Sequence, residues 1–353
     1  MTVSIQGAGK THHIGKGHPC FIIAELSANH NHDINRALEL IRIAAECGAD
    51  AVKLQTYTAD TMTIDCSGEH FMAKNPLWKD KTLYEVYSEA YTPWEWYPEL
   101  QKEADKQGVV LFSTPFDHTA VDFLESMNVP CYKVASFEVV DIPLLKAIAA
   151  TGKPVIMSTG MATLSEIDEA VQTLKDNGTK DLVLLKCTSA YPAPPEEANL
   201  RTLPHLAETF HCASGFSDHT LGTALPVAAV ALGCTVIEKH MTTSRADGGP
   251  DSGFSLEPAE FKEMVTNVRI AEKALGAVTY ALTPKQEKSV KSRRSLFVVE
   301  DIAQGEQLTP KNIRAIRPGY GLHTRYYEYV TSGKIATIPL KKGTPLSFDL
   351  FQG

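Results

Sequence analysis

Short, nearly uninterrupted apolar runs recur along the chain, most of them followed by a turn and an amphipathic stretch. Eight stand out, at 21–26 (FIIAEL), 51–55 (AVKLQ), 109–113 (VVLFS), 131–135 (CYKVA), 154–158 (PVIMS), 182–187 (LVLLKC), 212–216 (CASGF) and 235–239 (TVIEK). Such continuity does not suit strands that face water on one side. It suits the strands of a parallel sheet covered on both faces. The stretches between them, most clearly INRALELIRIAAECGAD and LSEIDEAVQTLKDNG, place apolar residues at helical spacing and carry Gly near their ends. Eight strand–helix units in roughly 280 residues is the arithmetic of an α/β TIM (β/α)8 barrel. The alternative, a doubly wound open sheet, lacks the glycine-rich fingerprint expected after its first strand.

One connection is long. From residue 56 to about residue 92 no barrel strand intervenes, and an insertion of this size in a compact domain is usually functional. A substrate-covering role is expected for it. The pattern changes again near 277–294, where LTPKQEKSVKSRR is polar and charged. The expected division is therefore a barrel domain over 1–280, a linker over 281–294 and a small domain over 295–353. The last carries a weak repeat, with Ile302, Gly305, Leu308 and Thr309 recurring as Leu340, Gly343, Leu346 and Ser347 at a constant offset. Two copies of a strand–turn–strand unit predict a pseudo-symmetric β domain of about 60 residues. It would be marginal alone and so docked on the barrel or on another subunit.

Composition narrows the class. The 353 residues, 43% hydrophobic and 22% charged, suffice for a large core. A net charge of −8 with dispersed Lys and Arg argues against a nucleic-acid or anionic-membrane partner, so a site for an anionic substrate needs its own local cations. The seven cysteines show no CxxC or finger spacing and read as reduced, buried thiols of a cytoplasmic enzyme. The N-terminus has no apolar signal core, and no run approaches the roughly 18 residues of a membrane span.

The residues at the C-terminal ends of barrel strands face the active site, and here every strand end is polar. In order they offer Glu25 and Ser27; Lys53 and Gln55; Ser113, Thr114 and Asp117; Lys133, Ser136 and Glu138; Ser158 and Thr159; Lys186, Thr188, Ser189 and Tyr191; Ser217, Asp218 and His219; Glu238, Lys239 and His240. A single strand-end serine is more often a helix cap. Convergence on one mouth is what gives the set meaning. Two lysines with several hydroxyls make a reasonable phosphate cradle. His219 and His240 end neighbouring strands, and two imidazoles with open oxygen positions suit Mn2+ or a similar divalent ion better than structural zinc. Strand alternation points Glu238 and His240 one way and Lys239 the other. That argues against the competing reading of Lys239 as a Schiff-base lysine.

The segments IAELSANHNHD (23–33), KLQTYTADTM (53–62), STPFD (113–117), YKVASFE (132–138), STGMAT (158–163), KCTSAYPAPP (186–195), GFSDHT (215–220), EKHMT (238–242) and GGPDSGFSLEP (248–258) resemble the sialic acid synthase family. The tail, from RSLFVVEDIAQGEQLT through IRPGYGL to GTPLSFDL, is similar to that family's antifreeze-like SAF (β-clip) domain. Within the family, AELSANHN, QTYTADTM and DSGFSLEP are closest to the pseudaminate branch, and Ser189 stands where the neuraminate branch typically has Asn. The resemblance implies a transferase that joins phosphoenolpyruvate to an amino sugar, 2,4-diacetamido-2,4,6-trideoxy-L-altrose. N-acetylneuraminate or legionaminate synthesis are the alternatives within the family. It implies that Lys53, Lys133, Ser136, Ser158 and Ser217 hold phosphoenolpyruvate, with Ser189 as a weaker member. It also implies that His219 and His240 bind a divalent metal cation (Mn2+, Mg2+ or Co2+), and that Glu25, Gln55, Tyr191 and Asp251 contact the sugar. Arg317 would reach the sugar in the barrel of a partner subunit of a domain-swapped homodimer; its alternative is an ordinary surface or interface arginine.

The chemistry expected of such a site is attack of the enol methylene carbon on an open-chain aldehyde. Glu138 or Glu238 would stabilise the resulting cationic centre or activate water, Glu138 being preferred for its position beside Lys133 and Ser136. Glu25 is the third catalytic candidate. A metal-dependent sugar hydrolase or isomerase would not need two lysines and a hydroxyl cluster. A non-enzymatic carbohydrate-binding or antifreeze protein would not need an ionisable barrel mouth.

Overall fold

The computed structural model describes residues 2–74, 78 and 80–353. The chain divides into two compact units, with the boundary between residues 276 and 277. Among the described residues no helix is long and apolar enough to cross a membrane.

The first unit opens with an antiparallel hairpin that the apolar runs did not disclose, β1 (Thr2–Gly7) and β2 (Lys10–Gly15). Its turn is Ala8-Gly9, with φ of 49° and 75°, the pair of positive values whose twist suits a two-residue hairpin. Val3, Ile5 and Ile14 of this hairpin join Phe21, Ile23, Ala51, Val110, Phe112, Ile156, Val183, Leu185 and Val236 in one buried cluster. The hairpin therefore plugs the N-terminal end of the barrel.

Eight parallel strands close in the order β10-β3-β4-β5-β6-β7-β8-β9. They are β3 (Phe21–Glu25), β4 (Ala51–Thr56), β5 (Val110–Pro115), β6 (Tyr132–Val134), β7 (Val155–Ser158), β8 (Leu182–Cys187), β9 (Ala213–Asp218) and β10 (Val236–His240). Each of the eight apolar runs falls on one of them. The outer ring is α1 (Ile34–Glu46), α4 (Tyr97–Gln107), α5 (His118–Ser126), α6 (Ile142–Ala150), α7 (Leu164–Asp176), α8 (Thr202–Phe210), α9 (Ala224–Ala231) and α10 (Pro258–Leu275). Helical spacing explains the packing: α1 buries Ala37, Leu38, Leu40, Ile41 and Ala44 and starts at Asp33, whose side chain accepts from the Asn35 amide. Outward strand residues such as Ile22, Val52, Leu111, Met157, Leu184 and Ile237 complete that layer. Truncating one of its leucines to alanine would cost about 2–5 kcal/mol.

The long connection after β4 holds two helices of its own, α2 (Ala59–Met62) and α3 (Leu83–Ala90). Thr82 and Glu85 form a reciprocal capping box at the start of α3. Residues 75–77 and 79 of this connection lie outside the described residues.

In the second unit, the polar stretch read as a linker contains a helix, α11 (Pro284–Val290), capped by Thr283. Strands β11 (Ser295–Val298) and β12 (Ile313–Ile316) pair antiparallel, as do β13 (Ile335–Ala336) and β14 (Phe351–Gln352), with α12 (Tyr327–Thr331) between the two pairs. The sequence repeat is visible in the backbone. Ile302 and Leu340 exchange both amide hydrogen bonds at 2.8 Å. Gly305 donates to Ala336 at 2.9 Å, and its counterpart Gly343 donates to Val298 at 2.8 Å. Both glycines sit at positive φ, 79° and 93°, where a side chain would be strained. Leu296, Val298, Ile302, Leu308, Ile313, Leu340 and Leu346 form the core between the two copies.

Candidate active site

Alternation along the strands layers the barrel interior. The hairpin-plugged half is apolar. Two to four residues further along the same strands come Glu25, Lys53, Lys133, Ser158, Cys187, Ser217, Glu238 and His240, and these line a cavity of about 820 Å³ at the C-terminal end. Gly215 lies at the boundary. A Cβ there would meet the Leu185 side chain at 2.5 Å and the Val236 carbonyl at 2.6 Å, so only glycine lets these strands close.

Charge is concentrated at the cavity floor. Lys53 Nζ lies 2.6 Å from Glu25 Oε2 and 3.6 Å from Glu238 Oε1, and donates to Thr114 Oγ1 at 3.2 Å. Lys133 Nζ donates to Ser158 Oγ at 2.6 Å and to the Val134 carbonyl at 2.7 Å. Burial, reinforced by Glu238, raises the Glu25 carboxyl to about 7 against the pull of Lys53. Burial would also raise Glu238, but Lys133, Lys53 and His219 outweigh it and hold that carboxyl below its ordinary value. The two carboxylates are thus driven apart, one toward the neutral form and one toward the charged form, the usual signature of divided acid–base roles.

The hydroxyls complete this side. Ser217 Oγ donates to Glu238 Oε1 at 3.4 Å, and the Ser136 and Ser189 hydroxyls lie 2.8 Å apart. Ser136 lines the cavity; Ser189 braces it from behind. Gly160 makes room for the pair: its φ is 47°, and a Cβ there would fall 2.2 Å from Ser136 Cβ and 2.6 Å from Ser189 Oγ. Glu138 stands differently. It begins the 3-10 turn after β6 and is raised to about 7 by burial. One of its oxygens is buried without a hydrogen-bond partner, and it is not part of the cavity wall, although its neighbour Phe137 is.

A second polar group joins β3, β4 and the loop after β10. Gln55 Nε2 donates at 3.0 Å to both Glu25 Oε1 and Ser27 Oγ, and Ser27 in turn donates to the half-buried Asp251 carboxylate. Ser27 was visible in the sequence only as one strand-end hydroxyl among many. Its φ of 47° turns the chain so that it bridges Gln55 and Asp251.

The two histidines are neighbours, with ring centroids 5.3 Å apart. His219 Nδ1 is 2.9 Å from the Thr188 carbonyl, so this nitrogen donates and the other keeps its lone pair. His240 is buried with Nδ1 unpartnered, and burial pulls its pKa well down, keeping the imidazole neutral. At His219 burial acts the same way, but Cys187 and the Thr188 carbonyl outweigh it and raise the imidazole above its ordinary value. Tyr191 and Phe254 pack against the pair, Tyr191 4.3 Å from the His219 ring and Phe254 4.9 Å from the His240 ring. Phe254 and Cys187 were not among the expected site residues; strand parity would have identified Cys187, whereas nothing local marks Phe254. Among the described residues no cluster of three or more His, Cys, Asp or Glu is arranged to hold a metal. A cation here would draw its remaining ligands from substrate and water oxygens.

Two further candidates lie outside this cavity, Lys239 on the side that strand alternation predicts. Lys239 points outward, Nζ 2.6 Å from Asp218 Oδ2, buried and off the cavity. Arg317 is exposed in the second unit, at the end of β12.

Known proteins share this architecture. Residues 40–280 match the NeuB family and residues 293–352 the SAF domain. The pseudaminic acid synthase of Helicobacter pylori is 44% identical over 332 residues, covering 94% of this chain and 97% of that protein. Its namesake in Campylobacter jejuni serotype O:2 is 43% identical, with 94% and 96% covered. The crystal structure of N-acetylneuraminic acid (sialic acid) synthetase from Leptospira borgpetersenii superposes with a TM-score of 0.72 at 32% identity, covering 82% of this chain and 96% of that one.

Proposed function

The chain belongs to the NeuB family and ends in a SAF domain, and from that premise we propose that it condenses phosphoenolpyruvate with open-chain 2,4-diacetamido-2,4,6-trideoxy-L-altrose, giving pseudaminic acid and phosphate. The observation that carries this reading is the pair of buried lysines, Lys53 and Lys133, set among hydroxyls on the floor of a cavity whose rim holds two histidines. The kinship to pseudaminic acid synthases at 43–44% identity selects the acceptor.

Lys53 and Lys133, with Ser158, Ser217 and the Ser136–Ser189 pair, bind the phosphate and carboxylate of phosphoenolpyruvate. The neutral His240 and the oriented His219 fit a divalent cation such as Mn2+, Mg2+ or Co2+, which when bound polarises the aldehyde oxygen. Glu25, Gln55, Tyr191 and Asp251 orient the sugar. The enol methylene carbon then bonds to the aldehyde carbon as the carbonyl π pair moves onto the aldehyde oxygen, which takes up a proton to become a hydroxyl, leaving positive charge on the carbon that bears the phosphate. Glu238, held ionised by Lys133 and Lys53, stabilises that centre across the floor. Water adds there, and its proton passes to a carboxylate. Glu25 lines the cavity with a pKa of about 7, so the role first assigned to Glu138 goes to Glu25. Collapse of the tetrahedral adduct breaks the carbon–oxygen bond and releases phosphate. In the sialic acid synthase pattern Arg317 enters the sugar site of a second copy, and the protein works as a cytoplasmic homodimer.

The test is incubation with phosphoenolpyruvate and a panel of acceptors, with Mn2+ or with chelator, following phosphate release and product mass. Turnover of the trideoxy sugar is expected. Release with N-acetylmannosamine alone overturns the acceptor assignment, and turnover indifferent to chelation overturns the cation.

A further inference from the structure

The cavity has two unlike long walls. One is polar or ring-lined and carries the histidines with Tyr191 and Phe254. The other comes from the long connection after β4. There Val86, Tyr87 and Ala90 present one face of α3 to the cavity, beside Tyr57 from the end of β4. Val86 is buried. The Tyr57 ring meets Tyr87 edge-on at 5.8 Å and Phe116 edge-on at 5.3 Å. This aromatic brace fixes the helix face from below. At Val86 and Ala90 the wall presents methyl groups and no side-chain donor or acceptor.

We propose that this face of α3 is the specificity element that reads the deoxygenated end of the acceptor, with Val86 and Ala90 packing against the methyl group at carbon 6. The inference rests on the proposed condensation. In that reaction the aldehyde, carbon 1, is held beside His219, His240 and the bound phosphoenolpyruvate. An extended six-carbon chain then carries its other end away from the histidine wall. Glu25, Gln55 and Asp251, which line the cavity as one hydrogen-bonded group through Ser27, take the intermediate hydroxyl and amide groups. A hydroxyl at carbon 6 would enter the α3 wall without a partner and lose its water. Apolar pockets reject an added hydroxyl by up to about a hundredfold, so the discrimination is finite and can be tuned.

The experiment compares kcat/KM for the trideoxy acceptor and for the same sugar carrying a 6-hydroxyl, in the wild type, Val86→Thr and Ala90→Ser. Thr replaces a Val methyl by a hydroxyl of the same size, and Ser adds one at Ala90. The wild type should prefer the deoxy acceptor. At least one variant should narrow that preference about fivefold or more, the worth of one neutral hydrogen bond, with KM for phosphoenolpyruvate unchanged. Near-ultraviolet circular dichroism confirms folding. An unchanged preference in both folded variants overturns the role of α3 and leaves the condensation standing. No turnover of either acceptor by the wild type overturns the condensation itself, and this inference with it.

Discussion

Replacing Glu25 by Gln tests the electrostatics of the cavity floor most directly. Glu25 is only 1% exposed, so its carboxylate is dehydrated, and Lys53 at 2.6 Å compensates only in part. A rise from the ordinary 4.5 to about 7 corresponds to roughly 3 kcal/mol. The sign follows from linkage. Below pH 4.5 the group is neutral in both states and costs nothing. As pH rises through about 7 the folded protein must give up a proton that the unfolded chain has already released, so stability falls. Glu25→Gln removes this titration while keeping an acceptor for Gln55 Nε2. The loss of the Lys53 contact shifts the difference by a constant, because lysine stays charged across the window. Glu25→Gln should therefore gain on the wild type by roughly 3 kcal/mol between pH 4.5 and 8.5, with most of the change below pH 7. Urea unfolding at half-unit pH steps, in chelator, measures it. A flat difference would refute the reasoning, since Glu25 would then titrate alike in folded and unfolded chains.

Other substitutions separate binding, packing and chemistry. Ser158→Ala removes the partner of Lys133 at 2.6 Å and should raise KM for phosphoenolpyruvate by about 10–100-fold, the worth of a hydrogen bond to a charged group, with KM for the sugar steady. Gly160→Ala forces a Cβ onto Ser136 at a positive φ; a loss of about 1–3 kcal/mol in urea unfolding is expected, together with weaker phosphoenolpyruvate binding by calorimetry. Lys239→Met strands Asp218 in the outer layer and should cost about 3–5 kcal/mol, while borohydride leaves no substrate adduct on the wild type. Trapping at Lys239 would reverse its assignment as structural.

The barrel was legible because each strand is buried on both faces, and a run such as LVLLKC has few other uses in a soluble chain. The hairpin at 2–15 was not, because it is polar outside and the only large apolar side chains it buries deeply are Val3, Ile5 and Ile14. Its one local signal is Ala8-Gly9 between two short alternating segments. In the site, most strand-end residues at the inward parity reached the cavity, Glu25, Lys53, Lys133, Ser158, Ser217, Glu238 and His240 among them, while Thr114 meets it only through Lys53. What proved illegible came from loops. Phe254 and the α3 face owe their places to a loop and to an insertion, neither of which has a period to read, and the bridging contacts of Ser27 depend on a backbone turn.

Parity also explains how one strand carries two opposite uses of buried charge. On β10, Glu238 and His240 face the cavity, and Lys239 between them faces the helices. The outward lysine is paired, with Asp218 at 2.6 Å and the Thr220 carbonyl as acceptors. The inward groups are left short, since one Glu238 oxygen and His240 Nδ1 are buried without a hydrogen-bond partner. A buried polar atom left unpaired costs about 1–3 kcal/mol, and a strand whose outward charge is paired at short distance does not leave the other face wanting through poor packing. The deficit lies where substrate must bind, so the phosphate, carboxylate and aldehyde would supply the missing partners. The apolar half of the barrel, closed by the hairpin, holds the strands rigid while the upper half waits unsatisfied.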